Sequence, residues 1–144
     1  VYPDITSRDR KTMLGIAFTD PQMAVVGQAW SSMDCDAFRA GFVDFGDQGR
    51  SRVMNQHRGF AHVYGQCGSG LLVGAELVGP RAEHLAHLLA WAIERRMTVD
   101  EALAMPFYHP VVEEGLRTAL RDLAGELKRR RQPGAPCETF GPGD

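Results

Sequence analysis

The stretch from Phe60 to Pro80, FAHVYGQCGSGLLVGAELVGP, limits the possible folds more than any other. Phe60, His62 and Tyr64 alternate with Ala61 and Val63, the period of two that belongs to a strand. Leu71 to Val78 is a second, mostly apolar run. CGSG lies between them, and its glycines supply the positive φ of a tight hairpin. The two runs are therefore expected to be antiparallel neighbours, with His62 a half-exposed strand residue. Directly after Gly79–Pro80 the apolar period changes: Leu85, Leu88, Leu89, Ala92 and Ile93 recur at helical spacing through about Arg96. A hairpin feeding a helix needs a layered fold, because neither element buries its apolar face alone.

The flanking sequence extends this pattern. Ile16–Thr19 is a short strand candidate ended by the turn signal TDP, and an apolar stretch closed by Gly27 follows. Ser31 or Ser32 is placed to cap a short helix over SSMDCDAF. Phe38–Phe45 reads as a further strand with Phe38, Ala40 and Phe42 on one face. Pro80 suits a first helical turn, where its missing N–H is not needed. Thr98 and Glu101 have the spacing of a capping box for another short helix. Val112, Leu116, Ala119, Leu120, Leu123 and Leu127 form one stripe of a longer helix, which KRRRQPG should end. Strands precede helices, so the expected fold is α+β, an antiparallel sheet with helices packed on one side. Residues 1–14 read as an approach segment, 15–130 as the domain and 131–144 as a loose tail.

Composition excludes several functions. A net charge of −2 offers no basic field for nucleic acid. No apolar run approaches the roughly 20 residues that span a bilayer, so no membrane contact is expected. No glycine-rich turn opens a helix after a strand, which removes a dinucleotide site. Cys35, Cys67 and Cys137 are widely spaced without a CxxC, which suggests reduced thiols in a cytoplasmic protein. His84 and His87 lie three apart on a helical pattern, but no further ligand completes a metal set, so no metal is expected.

The chemistry-bearing stretch is MPFYHPVVEEGL, Met105 to Leu116. Pro110 is expected at the first helical position, with His109 at the helix mouth. Histidine's ordinary pKa, roughly 6.5, lies nearest neutrality. A carboxylate bonded to one ring nitrogen fixes the tautomer and leaves the other nitrogen to carry a proton. Glu113 and Glu114 are both in range. The same residues also suit a plain helix start, since glutamates there favour the helix dipole without any catalysis.

Three motifs resemble a known family. IAFTDPQMAVVG is similar to the opening of the interface domain in FAD-dependent pyridine nucleotide–disulfide oxidoreductases of the dihydrolipoamide dehydrogenase type. LLVGAELVGPRAEHLAHLLAWAI resembles that domain's strand, turn and helix, and HPVVEEGL resembles its HPTxxE signature. The motifs run from about Ile16 to Leu123 in the family's order. The resemblance implies the FAD/NAD-linked reductase dimerisation-domain fold and a homodimer. His109 and Glu114 would be catalytic at the partner subunit's dithiol, and the His109–Pro110 backbone would lie near the partner's FAD. It implies that FAD and NAD(P) sit in other domains of a longer parent chain, with none bound to this piece, which alone would be inactive. The expected dimer contact is the Leu85–Ile93 helix with the HP segment. Val111 replaces the family's usual threonine and Phe107–Tyr108 a common HA, which leaves the disulfide substrate open, as is the choice of NAD or NADP. Cys137 is single, unlike the C-terminal pair of mercuric reductase. The competing reading is a free-standing homodimerisation module that keeps the fold without the redox chemistry. A weaker one is a metal site using His84, His87 and His109.

Overall fold

The computed structural model describes residues 10–129. Five strands form one antiparallel sheet: β1 (Leu14–Ala17), β2 (Gln22–Gly27), β3 (Phe38–Asp44), β4 (Phe60–Gln66) and β5 (Leu72–Gly79), in the order β1-β2-β5-β4-β3. β4 and β5 pair as the glycine turn requires, with Gly68 and Gly70 at positive φ. Register aligns Ile16, Ala24, Leu77, Ala61 and Val43 across the sheet. Because side chains alternate, that row and the neighbouring Val26, Ala75 and Val63 face one side, and they carry the core.

The helices cover that side. α2 (Ala82–Glu94) packs on β2 and β5 through Leu85, Ala86 and Leu89. α4 (Glu114–Lys128) packs on β3 and β4 through Leu116, Ala119, Leu120 and Leu123. α3 (Val99–Leu103) joins them and is started by the expected capping box: Thr98 Oγ1 accepts from Glu101 N at 3.2 Å, and Glu101 Oε2 accepts from Thr98 N at 2.7 Å. Gly41 allows α4 to lie close on β3, since a Cβ there would stand 2.3 Å from the Ala119 carbonyl oxygen.

Several expectations are corrected. SSMDCDAF forms no α-helix; only Trp30–Ser32 makes a single 3-10 turn. Asp34 Oδ1 accepts from Asp36 N at 3.0 Å, and this local side-chain turn competes with helix formation. Pro80 stands outside α2. β5 continues to Gly79, paired with Gln22, and Arg81 at φ 57° occupies the N-cap position of the helix that begins at Ala82, without a side-chain capping bond. α1 (Gly49–Val53), for which the sequence shows no apolar period, links β3 to β4. Cys67 is a free thiol, but Cys35 is disulfide-bonded and not reduced. Cys137 and the tail lie outside the described residues. No helix among those described is long and apolar enough to cross a membrane.

Candidate functional site

The site is built where the loop after α3 meets the first turn of α4. Glu114 is the first residue of α4, so Pro110 does not open the helix as expected; it follows His109 through a cis peptide bond, outside α4. Four residues of loop therefore separate His109 from the helix, and the loop folds back. That fold brings His109 Nδ1 to 2.9 Å from Glu114 Oε1 and 3.0 Å from Oε2. An ionised carboxylate only accepts, so Nδ1–H donates and Nε2 is left for other partners. Of the two glutamates that spacing left open, Glu114 makes the pair. Its Oε2 also accepts from Val111 N at 3.2 Å.

The pair is electrostatically consistent. The hydrogen bond from His109 chiefly, then that from the Val111 backbone and the charges of His109 and Arg117, hold the Glu114 carboxyl below the ordinary carboxylate range. The N-terminus of α4 adds a favourable dipole. Glu114 is largely covered, at 27% side-chain exposure, whereas the His109 side chain is 81% exposed. The ring is thus fixed at its base and open at its tip.

Packing beneath holds the pair in place. Phe45 is fully buried and touches the helix start at Gly115, where a Cβ would fall 2.7 Å from the ring. Gln48 Nε2 donates to the Val111 carbonyl at 2.8 Å, and Val112 is buried in the core. On the other flank the Arg117 guanidinium lies 5.6 Å from the centre of the Phe107 ring. Neither Gln48 nor Arg117 stands out in the sequence: Gln48 is distant in the chain, and Arg117 reads as one more charge on a solvated helix face.

Other candidate residues do not join the site. His84 and His87 engage Glu83 locally, the first at 3.8 Å from its Oε1 and the second through Nδ1 at 2.7 Å from its carbonyl oxygen. Among the described residues no three histidine, cysteine, aspartate or glutamate side chains gather as a metal set. His62 is buried at 5% exposure, not half-exposed, because the Phe42 and Phe60 rings close over it at 5.1 and 5.4 Å. On the same sheet face the buried Tyr64 hydroxyl donates to Glu76, and burial first, then that bond, push the phenol upward. Tyr64 pairs with Gly74 and Glu76 with His62, so residues 64 and 76 are diagonal neighbours on one face of the hairpin. A cavity of about 670 Å³ at the β1–β2 and β5–α2 turns includes neither His109 nor Glu114.

The family model for the pyridine nucleotide-disulphide oxidoreductase dimerisation domain matches residues 13–120. A dihydrolipoyl dehydrogenase of Haloferax volcanii is 32% identical over 82% of this chain and 25% of its own length. A mercuric reductase of Acidithiobacillus ferrooxidans is 31% identical over 84% of this chain and 22% of its own. The chain spans about a quarter of the length of the curated relatives it matches. Among solved structures, LpdA of Mycobacterium tuberculosis superposes with a TM-score of 0.71 at 25% identity, over 76% of this chain and 24% of that one. The HOCl-induced flavoprotein disulfide reductase RclA of Escherichia coli gives 0.72 at 18% identity, over 78% and 26%, a likeness of fold alone.

Proposed function

The chain belongs to the dimerisation-domain family of the pyridine nucleotide-disulphide oxidoreductases, and from that premise we propose that it supplies a proton-transfer pair to the dithiol of a second copy of the parent enzyme. The observation that carries this reading is the His109–Glu114 pair, with Nδ1 held by both carboxylate oxygens and the ring otherwise open. Nε2 takes the proton of a thiol as the nucleophilic thiolate forms, and returns a proton to the thiolate that leaves a reduced disulfide. Glu114 stabilises the protonated ring and holds its tautomer.

FAD and NAD(P) belong in this reading to other domains of the parent. The exposed His109–Pro110 segment fits the edge of a flavin carried by the partner, which when bound supplies the electron carrier. This chain's own part is to place and move a proton at Nε2, and alone it turns nothing over. A second copy meets the HP segment and the outward side of α2, where Leu88 is 44% and Trp91 67% exposed.

His109→Gln in the flavin-loaded, full-length parent tests the proposal. Thiol–disulfide turnover should fall about 100-fold or more, the usual scale of a lost acid–base group, with flavin absorbance retained. Unchanged turnover would leave a homodimerisation module without the chemistry.

A further inference from the structure

We propose that Arg117, seated on the Phe107 ring, is a positioning residue that holds the loop bearing His109 against the helix bearing Glu114. The inference rests on the acid–base reading above and adds a residue to it.

His109 sits on a loop, and its ring is largely in solvent. A single exposed charged contact fixes such a ring weakly, because ordering the side chains offsets much of the attraction. Proton transfer needs placement to within a fraction of an ångström, so the loop must be held from elsewhere. On one side of His109 the Gln48–Val111 hydrogen bond holds it. On the other side Phe107, two residues before the histidine, is packed against the core.

Arg117 follows Glu114 by three residues in α4, so the two side chains share a helix face. Its guanidinium covers the Phe107 ring at 5.6 Å, within the range of a cation–π contact. Its Nε is buried and makes no hydrogen bond. That is a cost a solvent-facing rotamer would avoid, and the ring face and the nearby Glu114 charge offset it. The Arg117 charge is in turn among the causes that lower the Glu114 pKa, after the His109 and Val111 hydrogen bonds. Arg117 thus joins the loop before His109 to the helix after Glu114, and the imidazole is bracketed between two ties.

The test uses Arg117→Gln, Arg117→Lys and Phe107→Leu, with His109→Gln as reference. In the flavin-loaded parent, Arg117→Gln and Phe107→Leu should each lower kcat about fivefold, the rate equivalent of one cation–π contact, with KM within about twofold. Arg117→Lys, which keeps the charge over the ring, should restore most of kcat. In the 144-residue chain itself, the hydrogen-bonded His109 Nδ1–H resonance should broaden or vanish in the first two variants and persist in the lysine variant, with the remaining backbone spectrum unchanged. Full kcat and an intact Nδ1–H signal in Arg117→Gln, while His109→Gln remains crippled, would overturn the inference and leave the pair's own role standing. An inert His109→Gln would overturn both.

Discussion

At the scale of single residues, the candidate chemistry depends on one imidazole held by one carboxylate. Replacing Glu114 by Gln keeps an acceptor for Nδ1–H but removes the charge that favours the protonated ring. Turnover of the parent should then fall about tenfold, less than for loss of the histidine itself, as steady-state kinetics would show. Gly115, the next residue, is fixed by packing. A methyl group there would press on the Phe45 ring at 2.7 Å, and Gly115→Ala should destabilise the chain by about 1–3 kcal/mol, read from denaturant midpoints. Such a loss in a variant that touches no reacting group would show that the helix start is set by steric fit.

At the scale of elements, stability comes from helices laid on an apolar sheet face. Leu123 of α4 is completely buried, and Leu123→Ala should cost about 3 kcal/mol in chemical unfolding. The first strand is tied differently. Lys11 and Thr12 bond the Glu94 carboxylate at the end of α2, with Thr12 N and Oγ1 at 2.9 and 2.8 Å. The Lys11 bond above all, with the two from Thr12, lowers the Glu94 pKa from 4.5 to about 2. A depressed folded-state value means this contribution is present above pH 4.5 and is lost as pH falls through about 2. Glu94→Gln should therefore narrow the loss of melting temperature between pH 5 and pH 2 relative to the unaltered chain. An unchanged pH slope would show that the tie carries no stability.

At the scale of the whole molecule, the described residues form a single layered unit, and the proposed function needs a second copy to complete the site. His109 Nε2 faces outward, and the large apolar side chains Leu88 and Trp91 stand on the outer side of α2. If a twin chain covers them, light scattering at micromolar concentration should give twice the mass of one chain, and Trp91→Glu should return it to one. A monomer throughout would move the contact elsewhere on the surface.

The sequence by itself determined the hairpin, the antiparallel sheet and the two main helices, because the period of apolar residues and the glycine turns are local physical signals. It also brought His109 within reach of two glutamates. Tertiary structure alone decided which of them pairs, since α4 begins at Glu114 and the loop of residues 110–113 folds back over it. It placed Pro80 in a turn because strand pairing claimed Gly79, and it buried His62 because two aromatic rings from β3 and β4 close over it. Gln48 and Arg117 reach the site from positions that no local pattern singles out. Periodicity reports which face a residue occupies, whereas contacts between separate elements exist only once packing has fixed their distance.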